Sequence, residues 1–228
     1  MANELKQARG KLEQSTVKKY ELLTNDTIEL GGGITLFRIK ALISFGNVKK
    51  GELGGYVEKG GNLCHSGDAW VTGDARVTGD AWVSGNARVT GDARVTGNAR
   101  VTGDAWVSGN ARVTGKAKVT GNAKVSDIAE VTGNAKVYDN AKVTGDAWVY
   151  GNAKVSDDAW VSGSAEVYGN AKVTGNAWVT GNAWVYGNAR VTGNAKVYDN
   201  AKVTGRAKVT GNAMVSDNAE VTGGELLN

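Results

Sequence analysis

Two residues with catalytic potential lie side by side, Cys64 and His65, and they are the chain's only cysteine and only histidine. A thiol with a neighbouring imidazole base is one arrangement that nucleophilic enzymes use. Adjacent residues in an extended strand point to opposite sides, so we do not expect these two side chains to form a dyad. One thiol also excludes an internal disulfide framework and fits a reducing compartment. We therefore expect no enzymatic activity, no cofactor and no metal site.

The second chemically distinctive set is a row of Lys, Arg and Trp residues that occupy one position of a six-residue repeat. Valine recurs 26 times without a break in register from Val71 to Val221, and each hexad reads Gly/Asp, Asn/Asp, Ala, X, Val, Thr/Ser/Tyr. The Ala-X-Val-Thr part alternates inward and outward as a short strand with one buried face. Gly and Asn/Asp form turns, so each hexad supplies one strand and one corner.

This hexad pattern resembles the hexapeptide-repeat family, and the resemblance covers residues 67–222. It implies an all-β fold, a left-handed parallel β-helix in which three hexads make a three-sided coil of 18 residues. The sequence agrees, because Tyr150, Tyr168 and Tyr186 are 18 residues apart. The 26 hexads then make between eight and nine coils, stacked because a single hexad buries almost nothing.

We divide the chain into an N-terminal α+β capping domain (1–66), the β-helix (67–222) and a C-terminal tail (223–228). In the cap we expect a short helix over Asn3–Gln14 and strands in "TVKKYELL" and "ITLFRIKALISF", with turns at "TNDT" and at glycines 31–33. The segment 61–66 reads as a decayed hexad, with Leu63 in the alanine position and His65 in the valine position.

The lead-in "LFRIKAL…FGNVKKGELGGYVE…NL…GDAWV", about 36–71, is similar to the N-terminal cap of hexapeptide-repeat proteins from bacterial, prophage and phage genomes. That resemblance implies a phage or prophage origin and hence the cytoplasm of a host cell. No apolar run approaches the roughly 20 residues of a membrane span, so we expect no membrane partner.

Sorting the X position by an 18-residue coil gives three ladders of outward side chains. The first ladder is Trp70, Arg88, Trp106, Lys124, Lys142, Trp160, Trp178, Lys196 and Met214. The second ladder is Arg76, Arg94, Arg112, Glu130, Trp148, Glu166, Trp184, Lys202 and Glu220. The third ladder is Trp82, Arg100, Lys118, Lys136, Lys154, Lys172, Arg190 and Lys208. Because acids otherwise fall at turn positions, we expect basic flat faces and acidic corners.

The ladders predict a non-enzymatic binding protein. Its candidate sites are the seven cations of the third ladder and the tryptophans Trp70, Trp106, Trp160 and Trp178 of the first. One hypothesis is a host protein or nucleoprotein complex as partner, for example in blocking a defence system. A second is direct nucleic-acid binding, with cations on phosphates and indoles on bases. A third is a structural spacer or polymer-forming scaffold, whose cations only keep it soluble.

The open ends of a β-helix expose unpaired strand edges, which predicts self-association. Val215 and Val221 fall in nearly bare coils at the C-terminal end, and the last six residues are too short to form a folded cap. We expect an end-to-end dimer through these coils, with a side-by-side trimer as the alternative.

Overall fold

The computed structural model describes residues 17–227 and shows a parallel β-solenoid of about ten turns. Three sheets run the length of the solenoid and form its three faces, which confirms the three-sided coil of 18 residues. The strands, in chain order, are β1 (Tyr20–Leu30), β2 (Ile34–Ala41), β3 (Leu53–Val57), β4 (Trp70–Val71), β5 (Arg76–Val77), β6 (Trp82–Val83), β7 (Arg88–Val89), β8 (Arg94–Val95), β9 (Arg100–Val101), β10 (Trp106–Val107), β11 (Arg112–Val113), β12 (Lys118–Val119), β13 (Lys124–Val125), β14 (Glu130–Val131), β15 (Lys136–Val137), β16 (Lys142–Val143), β17 (Trp148–Val149), β18 (Lys154–Val155), β19 (Trp160–Val161), β20 (Glu166–Val167), β21 (Lys172–Val173), β22 (Trp178–Val179), β23 (Trp184–Val185), β24 (Arg190–Val191), β25 (Lys196–Val197), β26 (Lys202–Val203), β27 (Lys208–Thr210), β28 (Met214–Val215), β29 (Glu220–Val221) and β30 (Glu225–Leu227).

Each face of the solenoid carries one of the three ladders. The first face is the nine-stranded sheet from β4 to β28, and the third face is the nine-stranded sheet from β6 to β30. The second face is a twelve-stranded sheet, which begins with β1, β2 and β3 and continues through β5 to β29. Every third strand therefore belongs to the same face, and the outward X residues of one ladder lie directly above one another.

The core consists of valine and alanine rows that run parallel to the solenoid axis. Residues pair with their equivalents one coil on, as Val119 pairs with Val137 across β12 and β15, and both are fully buried. Backbone hydrogen bonds join the coils, including Lys118 N–H to Ala135 C=O at 2.9 Å. Since one hexad buries only its alanine and valine, the apolar core exists only because the coils stack.

The corners depend on a left-handed backbone conformation at the first position of the hexad. Glycine holds this position in most hexads, for example Gly103 with φ of 73°. Aspartate holds it in five hexads, with φ between 57° and 62°: Asp127, Asp139, Asp157, Asp199 and Asp217. Glycine tolerates this conformation most easily, and among the non-glycine residues Asn and Asp tolerate it best. This preference accounts for the composition of the turns.

The solenoid is longer than the regular hexads predict because imperfect coils extend both ends. Before the first hexad, Val57 pairs with Val77 and Leu63 bridges to Val83, a step of 20 residues instead of 18. The buried Leu63 therefore takes the valine position of this coil, and the assignment of His65 to that position was wrong. The two extra residues of the coil leave the His65 side chain outside the core, half-buried against the cap.

The N-terminal cap, in its described part, is a β-hairpin that extends the second face. Strands β1 and β2 pair antiparallel, and β2 pairs antiparallel with β3. The hairpin turns at Gly31–Gly33, as predicted. "TNDT" instead lies inside β1 at an irregularity between Leu23 and Thr27, so the predicted turn there was wrong. The predicted helix over Asn3–Gln14 lies outside the described residues.

Two adjacent residues fasten the cap to the first coils. The buried Lys19 donates from Nζ to the carbonyls of Gly67 and Ala69, at 3.2 and 2.8 Å. The Tyr20 hydroxyl lies between the carbonyls of Gly60 and Leu63, at 2.7 and 2.9 Å, and these two acceptors share its single hydrogen. These donors take the place of backbone N–H groups at the end of the solenoid, where carbonyls would otherwise be left without partners.

Alkaline pH is expected to weaken this cap through Tyr20. Burial, together with the nearby Cys64, raises the pKa of Tyr20 to about 12. Because the folded-state value lies above the unfolded value of 10, the stabilisation is complete below pH 10 and is lost as pH rises towards 12. We expect Tyr20→Phe to remove on the order of 2 kcal/mol at pH 8. Urea unfolding at pH 8, 10 and 11.5 measures this difference. If Tyr20→Phe lowered the free energy of unfolding by the same amount at all three pH values, the assignment to Tyr20 would be contradicted.

The last regular coils at the C-terminal end are less exposed than the hexad pattern predicts. Strand β30 (Glu225–Leu227) pairs parallel with β27 on the third face, so the tail forms a strand of the next coil. Val215 is only 3% exposed, and its assignment to a bare coil was wrong, whereas Val221 is half-buried and Leu227 is exposed. The end-to-end dimer through this end stays a prediction. Among residues 17–227, no helix is long and apolar enough to cross a lipid bilayer.

Candidate nucleic-acid interface

The third ladder forms a straight row of cations on the third face. Strand pairing places Arg100 beside Lys118, Lys118 beside Lys136, and so on to Lys208. At about 4.8 Å per strand, the seven cations span roughly 29 Å. All are exposed or half-buried, and none forms an ion pair with an acid among residues 17–227.

The corner between the second and third faces extends this basic surface. We define the basic corner by the residues at the second turn position: Asp80, Asn98, Lys116, Asn134, Asn152, Asn170, Asn188 and Arg206. Its only acid is Asp80, in the first coil, whose carboxylate Lys59 holds in an ion pair of 2.7 Å. Arg206 lies beside Arg190 and Lys208 around one surface depression. From Asn98 onward, the basic corner therefore carries amides and cations but no acids.

The acids lie on the other two corners. The corner between the first and second faces carries Asp74, Asp92, Asp127, Asp146, Asp199 and Asp217. The corner between the third and first faces carries Asp68, Asp104, Asp139, Asp157 and Asp158. The expectation that the corners are acidic therefore fits two corners and is wrong for the basic corner. This asymmetry gives the solenoid one stripe, formed by the basic corner and the third ladder, whose acids lie only at its two ends, at Asp80 and at Glu225 beside Lys208.

The first ladder carries the tryptophan surface, although with one member fewer than predicted. Trp106 and Trp178 are both 43% exposed, and Trp160 is half-buried. Trp70 is only 3% exposed, because Phe45 and Tyr20 of the cap pack edge-on against its indole at 5.3 and 6.2 Å. Its assignment to a contact surface was therefore wrong, and Trp70 serves to seat the cap.

Cations of neighbouring coils lie over the faces of the exposed indoles. Nζ of Lys124 is 5.8 Å from the ring centre of Trp106, and Nζ of Lys196 is 5.2 Å from that of Trp178. On the third face, the Arg100 guanidinium lies 5.8 Å from Trp82. Such cation–π contacts contribute about 0.5–1 kcal/mol each at exposed sites. They leave the indoles partly covered before any partner binds.

The second ladder contains both acids and cations, and several of its side chains already pair or stack with one another. Arg112 pairs with Glu130 at 2.9 Å. Tyr150, Tyr168 and Tyr186 stack with ring centres 4.8 Å apart and nearly parallel planes. The Tyr150 hydroxyl donates to Glu166 at 2.9 Å, and burial together with that carboxylate raises the pKa of Tyr150. This face has fewer free charges to offer a partner than the third.

Cys64 and His65 lie at the cap, away from the ladders. The His65 ring stacks on Tyr20 at 4.5 Å, and its Nδ1 accepts the backbone N–H of Lys19 at 3.1 Å. The Cys64 thiol lies 3.1 Å from the Ser66 hydroxyl, and no hydrogen bond joins it to the His65 imidazole in the described chain. Within residues 17–227, no three metal-binding side chains cluster. The local contacts of both residues are structural.

The comparison with protein families agrees with this architecture. The YdcK Beta solenoid repeat profile matches residues 81–97, 93–109 and 183–199. The matches and the structure agree on a β-solenoid fold built from repeats. The matched stretches include Trp82, Arg100 and Arg190 of the third ladder, although the profile describes the repeat and assigns no role to these side chains. No curated protein sequence matches the chain significantly.

Two features of the interface were missed by sorting only the X position. Lys116 and Arg206 occupy a turn position that elsewhere on the basic corner holds Asn or Asp. The signal was present in the sequence, because the turn residues can be sorted by the same 18-residue coil. The burial of Trp70 had no such signal, since it results from Phe45 and Tyr20 folding over the first coil.

Proposed function

We propose that this β-solenoid is a non-enzymatic binding protein that binds nucleic acid along the stripe formed by the third ladder and the basic corner. The observation that carries the proposal is the arrangement of charge. Seven ladder cations together with Lys116 and Arg206 lie on one side of the rod, and the acids of this stripe lie only at its ends: Asp80, held by Lys59, and Glu225, beside Lys208. A row of unneutralised cations attracts a polyanion and releases its counterions on binding.

The energetic cost of this row also supports a binding role. Stacked cations at about 5 Å repel one another, although by less than 1 kcal/mol per pair in salt solution. The chain contains acids that could neutralise them, since Glu130 pairs with Arg112 on the second face. On the third face no acid occupies an X position from Trp82 to Lys208, and the one that follows, Glu225, lies beside Lys208 in the last strand. A ligand that brings negative charge would relieve the repulsion along the whole row.

The resemblance of segment 36–71 to phage and prophage caps suggests where such binding would take place. A phage protein in a host cytoplasm would meet nucleic acid directly or within a host nucleoprotein complex, and blocking a defence complex is one use of such contact. The placement of Cys64 and His65 in structural contacts supports a role without catalysis.

A second candidate function rests on the first ladder. The exposed Trp178 and Met214 and the half-buried Tyr198 line a depression of about 360 Å³ together with Lys196 and Asp199. Aromatic and methionine side chains with a central cation are typical of protein interfaces, and here they fit an acidic surface of a host protein. In this case substitution of Trp178 and Met214 would weaken binding, and the third ladder would be dispensable.

Fluorescence anisotropy with labelled DNA and RNA tests the first proposal. We expect a dissociation constant in the micromolar range or tighter at about 50 mM salt. We also expect a loss of at least tenfold on going to about 200 mM, because counterion release makes affinity fall steeply with salt. Absence of binding at low salt would reject nucleic acid as the ligand and favour the first-ladder surface or a spacer role.

A further inference from the structure

A row of backbone N–H groups follows the basic corner. The first turn position there is always glycine, and the N–H groups of Gly133, Gly151, Gly169 and Gly187 have no acceptor within residues 17–227. One such group repeats in every coil. Because these positions have no side chain, the glycine backbones of successive coils approach closely, and a Cβ atom at Gly133 would lie 3.0 Å from the backbone N atom of Gly151.

The chain itself shows what these N–H groups bind. The N–H of Gly79, the first of this row with a described acceptor, donates to the Glu58 carboxylate at 2.6 Å. On the other corners, Asp127 accepts from the N–H of Gly145, and Asp157 accepts from that of Gly175, both at 2.9 Å. In each case an oxygen of an anion occupies the position. The unoccupied N–H groups of the basic corner thus form a row of anion sites.

Polar side chains border this row on three successive coils. The sequence reads "YGNAK", "YGNAK" and "YGNAR" at 150–154, 168–172 and 186–190. Asn152 donates to Asn170 and Asn170 to Asn188, at 3.2 and 3.3 Å, which fixes the amides in one orientation. The cations Lys154, Lys172 and Arg190 lie on the third-face side of each turn.

From this arrangement we infer that the basic corner binds the sugar–phosphate backbone of a nucleic-acid duplex, with phosphate oxygens on the glycine N–H row, the asparagine amides and the adjoining cations. The inference rests on the proposed function and adds the site and the form of the ligand. It implies little dependence on base sequence, since phosphate contacts carry no sequence information directly.

The duplex is favoured because most aromatic side chains beside the stripe already contact other side chains of the chain, although Trp82 stays 42% exposed. Single-strand binding proteins gain affinity by stacking bases on exposed aromatic faces. Here Tyr150, Tyr168 and Tyr186 cover one another at 4.8 Å, and Arg100 covers Trp82. A duplex also carries one charge per about 1.7 Å, so roughly 17 phosphates fall along the 29 Å of the ladder.

The test compares a 20-base-pair duplex with a single strand of the same length, by anisotropy at about 100 mM salt. We expect the duplex to bind at least tenfold more tightly. The variant Gly151→Asp/Gly169→Asp/Gly187→Asp should lower duplex affinity at least thirtyfold, because its carboxylates would occupy the N–H row. Aspartate is native to this turn position in five hexads, so the variant is expected to fold.

Two control variants distinguish occupation of the N–H row from a general effect of added negative charge. Gly91→Asp/Gly145→Asp/Gly163→Asp adds the same charge to the corner between the first and second faces, and it should lower affinity less than threefold. Gly151→Asn/Gly169→Asn/Gly187→Asn adds the side chains without charge, and should have an intermediate effect. Equal losses on both corners, or a single strand bound as tightly as the duplex, would overturn this inference alone. No binding of any nucleic acid would overturn the proposed function as well.

Discussion

Replacing Lys118, Lys136 and Lys154 by glutamate is expected to lower the affinity for a DNA duplex by at least a hundredfold at about 50 mM salt. The three lysines are consecutive in the third ladder and surround the centre of the stripe. Their reversal removes three phosphate contacts and places three carboxylates beside the remaining phosphates. The slope of log K against log salt should become shallower by about 2.7, from roughly 0.9 per lost contact.

The matched control reverses three lysines of the first ladder: Lys124, Lys142 and Lys196. Both triple variants change the net charge by the same amount, so a general electrostatic attraction would respond equally to both. We expect the control to lose less than fivefold in affinity. Equal losses would show that nucleic acid is attracted to the whole rod and would reject the stripe as a site.

Circular dichroism and thermal unfolding decide whether either variant has lost its fold. All six lysines have partly or fully exposed side chains on two-residue strands, and none makes an ion pair in the described chain. Substitution at such positions usually changes stability by less than about 0.5 kcal/mol. The control lysines Lys124, Lys142 and Lys196 each also lose a cation–π contact of about 0.5–1 kcal/mol, so the control is expected to be the less stable of the two variants. A difference in binding between the two variants therefore reports on the interface.

The solenoid could be predicted from the sequence because one physical constraint repeats in every hexad. Val119 must point inward, Lys118 outward and Gly121 around the corner, and each neighbouring hexad obeys the same rule. The 18-residue coil then determines which X residues share a face, so the three ladders follow from arithmetic on the sequence.

The ends could not be predicted in this way because they depart from the repeat. The coil of Val57 and Leu63 is two residues longer than the others, so its register follows from packing under the cap. Lys19 and Tyr20 replace a missing coil by donating side-chain hydrogen bonds to its carbonyl partners. Such contacts join residues more than 40 positions apart, and no local pattern encodes them.

The candidate interface could be predicted from the sequence only in part. The third ladder was found from the X position, whereas the basic corner required the turn residues to be sorted by coil. Turn residues are usually read only for the backbone conformation that they permit. In a solenoid they also form rows, so a substitution such as Lys116 for Asn changes the charge of an entire edge. The hydrogen bond from Gly79 N–H to Glu58, which reveals the anion sites, is a property of the folded chain alone.

The corner glycines also determine how strongly the coils are coupled. Gly103 has φ of 73°, and a Cβ atom there would lie 3.0 Å from the backbone N and O atoms of Gly121 in the next coil. We expect Gly103→Val to destabilise the protein by about 3 kcal/mol, since a β-branched residue is strained at positive φ and backbone atoms cannot move aside. Gly103→Asp should cost about 1 kcal/mol, because aspartate adopts this conformation at Asp127 and four equivalent positions.

Chemical denaturation followed by tryptophan fluorescence measures both effects. In a solenoid each coil contacts only its neighbours, so a weakened junction divides the rod into two units that unfold at different denaturant concentrations. Gly103→Val should therefore broaden or split the transition, whereas Gly103→Asp should shift it as a whole. Gly31→Val is the control, because Gly31 lacks positive φ and has open space around it. A single sharp transition for Gly103→Val at the wild-type midpoint would mean that the coils tolerate side chains at this turn, and that glycine is dispensable there.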